Sequence, residues 1–178
     1  DEIVGHMRER IELLEDYDEL PVVSRKAPAE PPEEYRAYRV VDEADVVPMA
    51  PFGSGYRWHV SGLVHDETGF PKGTPAATRA SQDHLYRKLA DHLDDIVAAE
   101  RYRLDDADLA IVAFGGAART AYDAVDMARS QGIRAGLLRP ITIWPFAEKE
   151  ITALLEKVRG ILVHELNCGQ YGLEVERT

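Results

Sequence analysis

Cysteine is nearly absent from this sequence, and long apolar runs do not occur in it. Cys168 is the only cysteine, so the chain has no internal disulfide and no cysteine cluster to hold zinc or an iron–sulfur centre. A single free thiol is typical of a reducing environment, and we expect a cytoplasmic protein. No run approaches the ~18 apolar residues that a membrane-spanning helix needs, so we expect no membrane segment.

Positive charge is also scarce. The chain has 21 lysine and arginine residues against 32 aspartate and glutamate residues, which gives a net charge of −11. Nucleic acid phosphates would repel such a chain, so the composition argues against nucleic acid binding. Residues 1–50 alone carry a net charge of −8. Within them we predict a helix over residues 1–15 and a semi-rigid, proline-rich linker over residues 27–34, which together form an acidic, extended arm.

Strand and helix patterns alternate over residues 108–170. Apolar runs predict three strands, and apolar residues at helical spacing predict two helices between them. The strands are Leu109–Phe114, Ile133–Leu138 and Ile161–Leu166, and the helices are Ala117–Ser130 and Phe146–Arg159. Short apolar strands without polar alternation indicate an α/β fold, with a mostly parallel, open sheet flanked by helices.

Three loops follow the predicted strands, at Gly115-Gly116, Pro140–Pro145 and Asn167–Gln170. They converge at the carboxyl edge of the sheet, where α/β proteins bind ligands, so a small-molecule site built by this domain alone is expected there. The Gly-Gly pair lacks the Gly-x-Gly-x-x-Gly spacing of a dinucleotide site. No acidic residue lies between Asp126 and Glu148 to bind a ribose. We therefore reject NAD binding.

Residues 51–104 carry two further patterns. Tyr56, Trp58 and Val60 alternate with polar residues, which predicts a half-buried strand. Thr74-Pro75 is a favourable helix start, with Thr at the N-cap and Pro in the first turn. We predict a long amphipathic helix from there to about Glu100, packed on the edge of the sheet or on a partner.

The loop between these two elements concentrates three polar residues, His65, Asp66 and Glu67. They could supply a general base or two metal ligands, but adjacent side chains rarely point the same way, and no further ligand has suitable spacing. A polar turn, a subunit contact and the rim of an active site remain open as interpretations.

Other candidate residues have simpler explanations. His164 lies in an apolar strand, as expected for a core or interface residue. Asn167 is predicted to be the N-cap of a final helix, and Cys168 has no recognisable histidine partner. Trp144 is a core residue or a docking contact. No residues in the sequence form a complete catalytic, cofactor-binding or metal site.

Several motifs together resemble one enzyme family. They are DEIVGHMRE (1–9), GLVHDETGFP (62–71), GLLRPITIWPF (136–146) and ELNCGQ (165–170), followed by Glu174-Val175. These motifs resemble the α subunit of the 2-oxoacid:ferredoxin oxidoreductases, particularly the 2-oxoglutarate branch. The resemblance implies an enzyme with thiamine diphosphate, Mg²⁺ and iron–sulfur centres. Such an enzyme decarboxylates a 2-oxoacid, reduces ferredoxin and transfers the acyl group to coenzyme A.

The resemblance also implies a division of the chain. Residues 1–50 would be the tail of a preceding, pyrimidine-binding domain and the linker, and residues 51–104 a strand, a loop and the long helix. Residues 105–178 would be a transketolase-C-terminal-like domain, truncated at its end. The thiamine-activating residues would lie upstream, and the diphosphate-binding motif and cluster cysteines in a β subunit.

This chain would then be structural and act in assembly, and it would be inactive alone. Five residues are candidates for a subunit interface or the site rim: His65, Asp66, Glu67, Asn167 and Gln170. Two alternatives are the C-terminal domain of another thiamine enzyme, such as a transketolase or a 2-oxoacid dehydrogenase β chain, and a non-catalytic interaction module.

Overall fold

The chain divides into two compact units, one spanning Glu12–His92 and the other including Leu93–Thr178. The computed structural model describes residues 24–41 and 46–178, together with nine residues scattered between positions 5 and 20. The helix predicted over residues 1–15 depends on positions outside the described residues. Within the described ranges, no helix is long and apolar enough to cross a membrane.

A four-stranded, mostly parallel sheet forms the centre of the Leu93–Thr178 unit. Its strands are β1 (Ala99–Tyr102), β2 (Leu109–Ala113), β3 (Ala135–Pro140) and β4 (Gly160–His164). The spatial order is β1-β3-β2-β4. The β2–β3 and β2–β4 pairs are parallel, whereas β1 is antiparallel to β3. The predicted fold class, a mostly parallel open sheet flanked by helices, is therefore confirmed.

Helices cover both faces of this sheet. Within residues 24–41 and 46–178, the helices are α1 (Pro75–Ala90), α2 (Leu93–Ile96), α3 (Gly115–Ser130), α4 (Glu148–Leu155) and α5 (Gln170–Arg177). Helix α3 packs Ala121 and Val125 against Leu137 of β3 on one face. Helices α4 and α5 pack against Val112 and Leu138 on the other face. Each fully buried Val or Leu side chain contributes about 1.5–3 kcal/mol to folding, so this three-layer core stabilises the unit.

The long helix predicted from Thr74 to about Glu100 is shorter than expected. Its start is as predicted, since the Thr74 hydroxyl accepts a hydrogen bond from the Ala77 N–H at 3.3 Å and Pro75 is the first helical residue. The helix ends at Ala90, and the last predicted residues instead form α2 and strand β1. Pairing with β3 decides this outcome, because Glu100 lies opposite Arg139 and bonds its guanidinium at 3.1 Å.

An aromatic cluster forms the small core of the Glu12–His92 unit. Tyr35 is buried, and its ring makes edge contacts with Tyr56 at 5.1 Å and Trp58 at 6.2 Å. The strand predicted over this stretch is wrong, because residues 56–60 have no paired strand. The predicted burial of alternate side chains holds for two of the three residues. Tyr56 and Trp58 pack against the aromatic cluster, whereas Val60 is 71% exposed. The Tyr56 hydroxyl also donates to the Glu30 carbonyl at 2.9 Å, which ties the predicted linker to this core.

Candidate functional site

Aromatic side chains fill the carboxyl edge of the sheet on the α4/α5 face. Phe114 follows β2, Phe146 precedes α4, and Tyr171 lies in the first turn of α5. The Tyr171 ring lies 5.2 Å from Phe114 and 5.1 Å from Phe146, measured between centroids. The residues that flank the three predicted loops therefore meet at this edge, and on this face they form packed core.

Tyr171 is the most perturbed group at this edge. Its side chain is only 5% exposed, and burial raises its pKa to about 12. Its hydroxyl has no hydrogen-bond partner among the described residues. A buried hydroxyl without a partner costs free energy, so the ring contributes through its apolar contacts rather than through its oxygen.

The loop before α5 is organised by two acceptor side chains. The Asn167 side-chain oxygen accepts from the N–H groups of Gly169 at 2.8 Å and Gln170 at 3.2 Å. The Glu165 carboxylate accepts from the N–H groups of Tyr171 at 3.1 Å and Gly172 at 3.0 Å. The Asn167 side chain therefore helps to cap the helix, but the prediction that Asn167 is the N-cap residue is wrong, because that position belongs to Gly169, whose φ is 90°.

Glu165 is a residue whose role the sequence analysis missed. Burial disfavours its charged form, but the donors from Gly172, Asn167 and Tyr171 outweigh burial and hold its pKa below the usual range. A carboxylate at a helix N-terminus is stabilised by the helix dipole and by the unpaired N–H groups of the first turn. In the sequence, Glu165 lies five positions before the helix. Ordinary capping motifs use residues closer to the first turn, so they do not predict this role.

The remaining loop residues of this edge are accessible. Cys168 and Gln170 are exposed, and the Gln170 side chain makes no hydrogen bond with any described residue. His164 is half-buried, and its Nε2 lies 3.2 Å from the Thr120 hydroxyl on α3. Trp144 is 69% exposed. Of the two interpretations of Trp144, core residue or docking contact, the core residue is therefore wrong.

The His65-Asp66-Glu67 loop is a tight hairpin in the other compact unit. The Asp66 N–H donates to the Phe70 carbonyl at 3.1 Å, and the Lys72 N–H donates to the Val64 carbonyl at 2.8 Å. Gly69 has φ of 88°, and a Cβ there would lie 2.1 Å from the His59 carbonyl oxygen. Glycine is required at this position because of both its backbone angle and this close approach.

The three polar side chains of the hairpin have three separate partners. The His65 ring packs on Tyr38 with centroids 4.2 Å apart. Asp66 accepts from the hydroxyl and the N–H of Thr68, and these bonds lower its pKa. Glu67 pairs with Arg39 at 3.3 Å. This geometry is that of a polar turn, and no group of three or more possible metal ligands occurs among the described residues.

The predicted site residues therefore fall into two groups. His65, Asp66 and Glu67 belong to the Glu12–His92 unit, whereas Asn167 and Gln170 belong to the unit that includes the sheet. Within each group the residues are neighbours. Four of the five have a clear structural use, and Gln170 alone among them presents a side chain without an intramolecular hydrogen bond in the described part of the chain.

The chain is similar in sequence to known proteins. Residues 107–178 match the family model of the pyruvate:ferredoxin oxidoreductase core domain II. The 2-oxoglutarate synthase subunit KorA of Methanothermobacter marburgensis is 42% identical over 178 residues, which cover 99% of this chain and 46% of that protein. The chain belongs to the 2-oxoacid:ferredoxin oxidoreductase family. The resemblance indicated by the motifs is confirmed, and the transketolase and dehydrogenase alternatives are set aside.

Family members with other substrates are also similar. The ketoisovalerate oxidoreductase subunit VorB of the same organism is 40% identical over 87 residues, covering 49% of this chain and 25% of that protein. A 2-oxoglutarate:ferredoxin oxidoreductase from Magnetococcus marinus, solved with 2-oxoglutarate, coenzyme A and succinyl-CoA bound, shares the fold. It has a TM-score of 0.74 and 19% identity, covering 90% of this chain and 28% of that chain. This chain spans about half the length of the KorA relative.

Proposed function

We propose that this chain is part of the α subunit of a thiamine-diphosphate-dependent 2-oxoacid:ferredoxin oxidoreductase. The reaction would be oxidative decarboxylation of 2-oxoglutarate or a related 2-oxoacid to its acyl-CoA, with reduction of ferredoxin in the cytoplasm. The observation that carries this proposal is the 42% identity over 99% of the chain to a 2-oxoglutarate synthase subunit.

The residues of this chain do not suit the cofactors of that reaction. Iron–sulfur clusters are usually held by four thiolates, whereas this sequence has one cysteine. The side chains of the His65-Asp66-Glu67 hairpin are engaged with Tyr38, Thr68 and Arg39. We therefore place thiamine diphosphate, Mg²⁺ and the clusters outside the described residues, with the β subunit supplying the diphosphate-binding motif and the cysteines.

The role of this chain would then be structural. Its sheet is closed on both faces by helices, and its carboxyl edge is packed with aromatic rings on one face. A domain packed in this way could hold the neighbouring catalytic domains in fixed positions. The candidate residues His65, Asp66, Glu67, Asn167 and Gln170 would lie at a subunit interface or at the rim of the active site.

The test is an anaerobic assay of the complex purified with its partner subunits. We expect iron–sulfur absorbance and reduction of ferredoxin that requires a 2-oxoacid and coenzyme A, with 2-oxoglutarate compared against pyruvate and 2-oxoisovalerate. A complex without iron–sulfur absorbance, or one that transfers the acyl group only to lipoamide, would contradict the proposal. The preferred 2-oxoacid would identify the substrate branch.

A further inference from the structure

An open groove of about 620 Å³ lies between the α2 segment and helix α4. Its apolar lining comes from Leu93, Val97, Phe146, Ala147 and Ala153. Ala147 is buried, but Leu93, Val97 and Phe146 are only half-buried, and Ala153 is exposed. Apolar surface that remains accessible and is bordered by polar residues is typical of a place where another molecule packs.

The border of this groove is acidic. Asp94, Glu148, Glu150 and Glu156 line it, and Lys149 is the cation that lines it with them. Lys149 pairs with Asp94, and Glu150 pairs with Arg101 at 3.1 Å.

Two carboxylates of this border are left without a cation. Glu148 and Glu156 form no ion pair with any residue that the structure describes, and both side chains are exposed. They are eight residues apart along α4 and its C-cap, which corresponds to about 12 Å along the helix axis. The groove therefore offers an apolar floor with two unneutralised negative charges beside it.

We propose that this groove binds an amphipathic helical segment of a partner subunit. The apolar side chains of that segment fill the floor, and lysine or arginine residues about two helical turns apart pair with Glu148 and Glu156. Helix-in-groove docking places apolar anchors in the groove and charged residues at its border. The inference rests on the proposed function, which makes this chain one subunit of a complex.

The negative charge of the groove border favours a basic segment of a partner subunit over a second copy of this chain. The sequence has a net charge of −11, so a second copy would on average bring more negative charge to an already negative border. Like charges facing each other oppose association, whereas a basic segment is attracted.

Photo-cross-linking in the purified complex tests the occupant directly. A benzoylphenylalanine residue is placed at Ala153 in the groove or, as a control, at Ala124, an exposed alanine of α3. We expect the Ala153 probe to cross-link a helical segment of a partner subunit that carries lysine or arginine residues, and the Ala124 probe not to reach that segment. Cross-links to this chain, to a second copy of it or to a segment without basic residues would overturn the proposal, as would no cross-link.

Charge reversal tests the electrostatic part. Glu148→Lys with Glu156→Lys should weaken association with the partner subunit at least tenfold at low ionic strength, and salt should reduce the difference. The control pair, Asp123→Lys with Glu176→Lys, makes the same charge change on α3 and α5 and should leave association unchanged. Equal effects of the two pairs would overturn the proposal.

A milder pair separates docking from folding. Glu148 lies in the first turn of α4, where a negative charge stabilises the helix. Glu148→Gln with Glu156→Gln keeps the side-chain shape and should still weaken association severalfold, while the loss of the charge at the helix N-terminus lowers the unfolding midpoint only slightly. Unaltered association in this variant would contradict the role of these carboxylates. If the complex forms normally but has no 2-oxoacid oxidoreductase activity, the proposed function fails while the docking inference stands.

Discussion

Single polar atoms determine how α5 begins. The Glu165 carboxylate bonds two N–H groups of the first turn, and Asn167 bonds those of the N-cap residue Gly169 and of Gln170. Together these side chains supply partners for the donors that a helix N-terminus leaves unpaired. The ELNCGQ motif therefore has a structural explanation, in which the exposed Leu166, Cys168 and Gln170 are the side chains not used for capping.

We expect Glu165→Gln to lower the free energy of unfolding by about 1 kcal/mol at pH 7, as the loss of a charged cap does. The pKa of Glu165 is lowered in the folded state. Its contribution is therefore fully present above the unfolded pKa of about 4.3 and is lost as pH falls through the lower, folded pKa. Urea unfolding between pH 3 and 7 should show the difference from wild type shrinking in acid. Glu176→Gln, at the other end of α5, should show no such dependence.

Removal of the Tyr171 hydroxyl is expected to raise the free energy of unfolding, in contrast to the substitution of Glu165. Because this hydroxyl is buried without a partner among the described residues, Tyr171→Phe should keep the aromatic packing and raise the free energy of unfolding by about 1 kcal/mol. The folded pKa of about 12 lies above the unfolded value of about 10. Wild-type stability should therefore decline between pH 10 and 12, and the variant should lack this decline. A variant less stable than wild type at pH 7 would mean that the hydroxyl has a partner.

At the scale of elements, the hairpin around His65-Asp66-Glu67 depends on backbone geometry that only glycine allows. Gly69 and Gly55 share a φ of 88°, but only Gly69 lies against other atoms, the His59 carbonyl and the Tyr38 ring. Comparison of the two positions separates the cost of the backbone angle from the cost of the close contact.

We expect Gly55→Ala to lower the free energy of unfolding by about 1 kcal/mol, the cost of a left-handed alanine. Gly69→Ala should cost clearly more, because its Cβ would lie 2.1 Å from a backbone oxygen that cannot move freely. Thermal unfolding of the two variants checks this difference. Equal midpoints would show that the hairpin can shift away from residue 59 at little cost.

The sheet shows which elements local sequence predicts. Strands β2, β3 and β4 and helices α3 and α4 were predicted within a few residues, because each is a short apolar run or an amphipathic repeat that is legible along the chain. Strand β1 was not, because the Ala-Glu-Arg-Tyr sequence at 99–102 favours no strand locally. Its partners on β3 lie about 40 residues away.

At the scale of the molecule, the candidate residues can be sorted by whether they support the fold. His65, Asp66, Glu67 and Asn167 each bond within their own loop or to a neighbouring residue. Substituting any of these four residues is therefore expected to change the stability of the fold as well as any subunit interface that the residue contributes to. Gln170 is the cleanest probe, since its side chain is exposed and makes no hydrogen bond with a described residue.

We expect Gln170→Ala to reduce assembly with the partner subunit or turnover of the complex by severalfold, with an unchanged unfolding midpoint. Glu176→Ala, an exposed residue on the same helix, is the matched control and should change neither. Wild-type assembly and turnover in Gln170→Ala would remove Gln170 from the interface or rim. Asn167→Ala should also lower the unfolding midpoint, because it removes a helix cap.

The sequence by itself determined the α/β class, most of the sheet and the family, because periodicity and motifs are local patterns that survive without coordinates. Tertiary structure decided the rest. Packing closed the carboxyl edge of the sheet around Tyr171 on one face, and long-range pairing made residues 99–102 a strand. Folding also formed a groove beside α4 that has an apolar lining and an acidic border. These features depend on which distant side chains come together, and no local pattern encodes that.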